Sequence, residues 1–224
     1  MSPANVTVVL VHGAWADGSS WSKIIAPLAA EGYRVTAPSL PLTSFDADVS
    51  ALSRTLERVE GPVVLAGHAY GGAVISAVKS DKVKALVYIA AGAPDQGETV
   101  LQAFYGANPP QLPMDAEGNI RLPDEAFAGA FAPNASASEA AVLAAVQRPI
   151  SPACITVPLA HPLWKDVPAW FLVAEQDQML PAESQRFMAE RMKARIHSHA
   201  VDHTPIVTAP DTVLSVIHEA INNL

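Results

Sequence analysis

The chain has 224 residues, 50% of them hydrophobic and 16% charged, with a net charge of −8. That composition suits one well-packed globular unit and excludes a disordered chain. The negative balance argues against a nucleic acid or an anionic membrane as partner, and a single cysteine, Cys154, excludes an internal disulfide.

The first apolar run, Val6 to Val11, is β-branched, too short to cross a membrane and has no basic stretch before it. It reads as a central strand running to His12, and a cytoplasmic location is the default expectation. Gly13 to Gly18 is a loop. Ser19 or Ser20 is expected to cap a helix, because Trp21, Ile24, Ile25 and Leu28 fall at i, i+3, i+4 and i+7. Gly32 stops that helix, and Tyr33 to Ala37 is the second strand. Asp46 opens a second helix, with Val49, Leu52, Leu56 and Val59 on one face, and Gly61-Pro62 ends it. Val63 to Ala66 is a third strand and Val83 to Ala90 a fourth.

After Gly92 the chain is rich in Pro, Ala, Asn and Ser until about Pro168. Helices are expected around Leu101–Tyr105, Asp124–Phe131 and Ser138–Gln147. The stretch exceeds an ordinary connection between strand and helix, so residues 95–166 read as a cap inserted into a single domain spanning 1–224. Trp170 to Ala174 is the fifth strand, Glu183 to Lys193 a helix, and Arg195 to Val201 the sixth strand. Thr208-Ala-Pro-Asp211 is expected to cap the last helix. Alternating strands and helices predict an α/β fold: about six mainly parallel strands with helices on both faces. Ligands of such sheets sit at the carboxyl ends of the strands.

The run Gly67-His68-Ala69-Tyr70-Gly71 lies between the third strand and an apolar helix, the setting of a G-x-S-x-G nucleophile elbow. The glycines are needed because strand and helix backbones crowd there. The middle position holds Ala69 instead of serine, which keeps the shape and removes the nucleophile. The same pentapeptide is also compatible with an ordinary glycine-containing turn.

Asp177 follows the fifth strand and His203 the sixth. With the elbow they make an ordered set of nucleophile position, acid and histidine. His203 would move the proton, Asp177 would hold the imidazole, and the backbone N–H groups of Ala14 and Tyr70 would form an oxyanion hole. Each residue has a plainer reading: Asp177 as a helix cap, with Glu175 as a rival acid, and His203 as a surface histidine. The three loops in the right order favour the joint reading. His197 and His199 alternate on a strand, but without cysteines or an acidic pair nearby no metal site is expected. No strand is followed by G-x-G-x-x-G, so no nucleotide cofactor is expected either. His12 and His68 read as loop-orienting groups, and Cys154 as a packed residue. The aromatics Phe104, Tyr105, Phe127, Phe131 and Trp164 either line an apolar pocket or form the cap's own core. Trp15 and His68 complete the expected substrate contacts.

The segments Val9–Trp15, Gly67–Gly72, Ala93–Asp95, Val173–Asp177 with Gln185–Phe187, and Asp202-His203 with Pro210 resemble the α/β-hydrolase superfamily. Within it they resemble the branch of plant methyl esterases, hydroxynitrile lyases and small bacterial esterases. The resemblance implies hydrolysis of a small, largely apolar carboxylic ester by a Ser-His-Asp site, with no cofactor. Its partner would be a small molecule, and a homodimer is left open. Ala69 departs from that pattern, either as an engineered change or as a native feature; as a serine hydrolase this sequence would be inactive or strongly impaired. Thr204 stands where the hydroxynitrile lyases carry lysine, which weighs against cyanohydrin cleavage. Two other readings stay open: a His/Asp general-base enzyme that needs no nucleophile, of the lyase or cofactor-free oxygenase type, and a non-catalytic binding protein.

Overall fold

Strand β1 (Thr7–Val11) is buried along its whole length, because both of its faces are covered. Val9 and Val11 pack into one core, and Val8 and Leu10 into the other. This two-sided burial is why the strand is apolar on both faces from Val8 to Val11 instead of alternating. The computed structural model describes residues 5–107 and 109–224.

The other strands are β2 (Arg34–Thr36), β3 (Val63–His68), β4 (Val83–Ile89), β5 (Ala169–Ala174) and β6 (Arg195–His199). They form one sheet in the order β2-β1-β3-β4-β5-β6, and every neighbouring pair is parallel. The expected six-stranded α/β sheet is therefore present. Helices α2 (Phe45–Arg58), α3 (Tyr70–Ala77) and α6 (Ala182–Arg191) supply Leu52, Leu56, Val74 and Met188 to the first core. Helices α1 (Ser22–Ala30) and α8 (Pro210–Asn222) supply Ile24, Leu28, Val213 and Ile217 to the second.

Strand order reverses between β1 and β3, so the chain leaves those two strands in opposite directions and opens a crevice at their carboxyl ends. Between β4 and β5 lie α4 (Val100–Tyr105), a π-helical turn (Phe127–Phe131), α5 (Ala137–Ala145) and two 3₁₀ turns. The helix expected over 124–131 is present over 125–131 and is π-helical from Phe127, with Ala132 N–H donating to Phe127 O at 2.9 Å. It turns Phe127 and Phe131 inward together, with ring centroids 5.1 Å apart.

Two expected caps are corrected. Asp17, not Ser19 or Ser20, caps the turn that precedes α1, accepting from Ser19 N at 2.8 Å. Thr208 does not cap α8: it ends the short helix α7 (Pro205–Thr208), and its hydroxyl donates to Asp202 Oδ1 at 2.6 Å. The residue at the start of α8 is Ala209, one position on, because Thr208 still belongs to α7.

Candidate active site

The site begins with crowding. A Cβ on Gly67 would stand 2.7 Å from the carbonyl of Gly71, and one on Gly71 would stand 2.5 Å from Val11 O. Real Cβ contacts do not come that close, so β3 can turn into α3 beneath β1 only with glycine at both positions. The turn between them puts Ala69 at φ 49°, ψ −118°, a conformation that L-residues rarely adopt. It is held from both sides: Ala69 N–H donates to Ile89 O at 3.2 Å, and Ala69 O accepts from Gly92 N–H at 3.0 Å.

The loop after β1 is fixed by a buried imidazole. His12 bonds Gly13 O through Nδ1 at 2.8 Å and accepts Leu40 N–H on Nε2 at 3.0 Å. Burial pushes its pKa down to about 4, so the ring stays neutral and bridges two loops. His68 is enclosed too and donates from Nε2 to His203 O at 2.7 Å. Burial, and then the nearby His203, push its pKa down to about 3.

His203 is 3% exposed, and its Nδ1 meets Asp177 Oδ2 at 2.8 Å. The Asp177 carboxylate is fully enclosed. Its Oδ1 accepts the N–H groups of Met179 and Leu180, each at 2.8 Å, and its Oδ2 also accepts Gln185 Nε2 at 2.9 Å. The Gln185 side chain in turn accepts Ala174 N–H and donates to Leu180 O, both at 2.9 Å, so it fixes the whole turn after β5. The rival acid Glu175 is engaged with Arg186 and Ser198 instead.

One cavity joins these loops. Its lining includes Ala14, Trp15, Ala69, Tyr70 and His203 from the strand ends. The β4–β5 segment adds Val100, Leu101, Phe104, Tyr105, Ile120 and Ile150. Its free volume, mouth included, is about 540 Å³. Ala14 and Tyr70 are both buried, and among the described residues neither of their N–H groups has an acceptor. Two unpaired amides beside an enclosed imidazole are the donors that a developing oxyanion needs.

Three of the expected substrate contacts lie away from the cavity wall. His68, Phe131 and Trp164 are not in this lining. Phe131 is 1% exposed and packs its ring behind His203 at 5.5 Å and against Trp15 at 6.5 Å. Trp164 lies in the first core and donates to Pro94 O. Phe127 is likewise enclosed in the second core, and of the cap aromatics only Phe104 and Tyr105 reach the cavity.

Cys154 is buried and contacts Asp48 Oδ2 at 3.6 Å. Burial, and then the nearby Asp48, push its thiol up to about 12, which removes it as a nucleophile. Asp48 itself had no place in the sequence reading. It is enclosed, its pKa is raised by burial, and it accepts Tyr70 Oη and Leu42 N–H, both at 2.7 Å. Gln185 was visible only as part of a resembling segment, without a role. Neither residue carries a local sequence signal, because each acts on groups brought to it by the fold. His197 pairs with Glu219 at 2.9 Å, and no cluster of three or more metal-ligating side chains occurs among the described residues. No helix among them is long and apolar enough to cross a membrane.

A parallel sheet with an elbow after β3, an acid after β5 and a histidine after β6 has the layout of an α/β hydrolase. The chain matches the Alpha/beta hydrolase family over residues 8–216 and belongs to it. It is 34% identical to the carbendazim-hydrolysing esterase of a Nocardioides strain, over 46% of this chain and 49% of that one. It is 24% identical to methylesterase 8 of Arabidopsis thaliana, over 90% and 84%. A pyrethroid hydrolase of Sphingobium wenxiniae is 35% identical over 38% of this chain and 35% of its own. The chain thus spans half or less of the two bacterial relatives. Among solved structures, a variant of polyneuridine aldehyde esterase superposes with a TM-score of 0.82 at 19% identity, covering 95% and 98% of the two chains. Tomato methylketone synthase I, in complex with 2-tridecanone, superposes with a TM-score of 0.81 at 20% identity, covering 97% and 98%. At such identities these likenesses define the fold.

Proposed function

We propose that the cavity binds a small, largely apolar carboxylic ester, with its carbonyl oxygen between the N–H groups of Ala14 and Tyr70. Residues 95–166 would cap it, and 1–224 would work as one domain. The observation that carries the reading is the enclosed His203–Asp177 pair opening onto the same cavity as Ala69 and the two unpaired amides.

The methyl of Ala69 closes the acyl-enzyme route. In its place the geometry supports general-base attack by water. His203 Nε2, which has no partner among the described residues, takes a proton from a water, whose oxygen then adds to the ester carbon. The oxyanion is held by the two amides, and collapse expels the alkoxide, which recovers the proton from the imidazolium. This route would be slow beside that of a serine enzyme. The oxyanion hole and binding alone sustain roughly 10³-fold over water in enzymes that lack their triad.

One observation favours a second reading. The imidazole–carboxylate pair is complete although nothing stands before it to activate, so His203 could take a proton from the substrate itself. The methylketone synthase neighbour, crystallised with 2-tridecanone and, as a variant, with β-ketoheptanoate, holds a ketone or a keto acid in place of an ester.

A panel of short methyl and aryl esters separates the two, assayed with the parent chain, Ala69→Ser and His203→Ala. The ester reading expects a gain of several orders of magnitude with Ala69→Ser and loss with His203→Ala. Folded Ala69→Ser protein with no ester turnover sinks it. Turnover of a C–H-acidic substrate that is lost in His203→Ala and unmoved by Ala69→Ser establishes the second. Binding without any turnover leaves a receptor.

A further inference from the structure

Just past the end of β4, Gly92 is buried. Its backbone is not left-handed, so its own conformation does not call for glycine. The space beside it does. The three atoms nearest to a Cβ placed on Gly92 are Cε1, Cδ1 and Cζ of Phe104, the last two at 2.9 and 3.0 Å. These are consecutive atoms on one edge of the ring, so Phe104 fits that edge into the notch left by a missing side chain. The same ring lines the cavity. Gly92 N–H, meanwhile, donates to Ala69 O at 3.0 Å. Gly92 thus holds the elbow tip with its amide and the ring with its bare Cα.

Helix α4, which carries Phe104, is pinned at both ends. Thr99 and Gln102 form a capping box at its start, and Tyr105 Oη donates to Met179 O at 2.8 Å at its finish. The ring is therefore a fixed wall beside any carbonyl seated over Ala69. We propose that Phe104 is a specificity-determining residue: its ring, seated at Gly92, limits the group on one side of the reacting carbonyl to about one or two carbons and leaves the longer hydrocarbon to the other side. This deepens the proposed ester reading and rests on it only for the placement of the carbonyl. A larger group on the Phe104 side overpacks the wall, which weakens binding by roughly ten-fold or more.

The notch makes the inference testable from both of its sides. Removing the ring opens the cavity down to the Gly92 backbone. A methyl on Gly92 meets the far end of a side chain and no backbone among its three nearest atoms, so it drives the ring off its seat and into the cavity.

Two isomeric ketones test this without turnover, since neither can be hydrolysed. 2-Heptanone can place its methyl beside Phe104, whereas 4-heptanone carries propyl on both sides. In calorimetric titrations the parent chain is expected to bind 2-heptanone at least about ten-fold more tightly. Phe104→Ala should bring the two isomers within about three-fold of each other, and Phe104→Leu, which keeps more of the packing, should fall between. Gly92→Ala should weaken 2-heptanone about ten-fold in the parent but less than about three-fold when combined with Phe104→Ala. Equal affinities for the isomers in the parent overturn the inference. So do Phe104 variants that keep the parent's preference, a Gly92→Ala loss that is the same with and without the ring, and failure of both ketones to bind. The ester panel decides the parent reading separately, so an active Ala69→Ser enzyme whose ketone binding ignores the isomer would retire this inference alone.

Discussion

The Nε2–H of His68 donates to the backbone carbonyl of His203 at 2.7 Å. The residue just before the elbow tip therefore holds the main chain of the residue whose imidazole opens beside that tip. A neutral ring is required for this bond to sit in so dry a place, and His12 does similar work one strand away.

Both rings make stability fall in acid. In the unfolded chain they protonate near 6.5; in the folded chain burial holds them to about 4 and about 3. Their contribution is therefore complete above pH 6.5 and is lost as pH falls toward the folded values. Each costs roughly 1.4 kcal/mol per pH unit, or roughly 4 kcal/mol for the two together between pH 6.5 and 5. Urea melts at pH 7 and pH 5 should show this loss. His68→Gln, which keeps a donor for His203 O, should show about half of it; an equal loss in variant and parent would remove His68 from the account.

Ala69 pays for its φ of 49° with backbone strain of about 1–3 kcal/mol. Glycine adopts that conformation freely but gives up about 0.5–1 kcal/mol through the unfolded chain. Ala69→Gly is expected to melt no lower than the parent, with a gain of up to about 2 kcal/mol. A drop in the denaturation midpoint would show that the turn is not strained.

Gly71 offers the opposite case. A methyl there would press on Val11 O and His12 O, at 2.5 and 2.7 Å, and both are backbone atoms of β1 and its loop. Gly71→Ala should cost more than about 3 kcal/mol or prevent folding. Gly129→Ala meets nothing within 4 Å and should stay within about 1 kcal/mol of the parent. Comparable midpoints for the two variants would contradict the crowding at the elbow.

Gln185→Leu strands the Ala174 N–H and the Leu180 carbonyl and takes one of four donors from Asp177. Each buried polar group left unpaired costs about 1–3 kcal/mol. In the Ala69→Ser background, ester turnover should show a lower kcat with KM nearly kept, because the damage falls on the carboxylate behind the imidazole. A raised KM with unchanged kcat would mean that Gln185 shapes the cavity and not the pair.

The fold was legible because both faces of the sheet are covered. Runs such as Val8–Val11 and Trp170–Ala174 are apolar throughout, and they stand apart from the helical spacing of Trp21, Ile24 and Leu28. Strand order was not legible, since the pairing of β1 with β3 depends on contacts far apart in the chain. Local chemistry misled at Thr208, which lies inside the short helix α7, so that Ala209 takes the position at the start of α8. At the site, the glycines and the loop order marked where to look. They did not distinguish aromatics that face the cavity, Phe104 and Tyr105, from those that close a core, Phe131 and Trp164. Nor did they show the bonds of Asp48 and Gln185, which link segments that meet only in three dimensions.

The sheet's two outer strands carry a last consequence. β2 is only three residues long, and β6 presents Arg195 and two histidines, with Ile196 41% exposed between them. A three-residue rim on one side and a five-residue one set with Arg195, His197 and His199 on the other make poor templates for recruiting a strand from another molecule. The fold thus guards itself against edge-to-edge aggregation, and any pairing of two copies would fall to helices and loops.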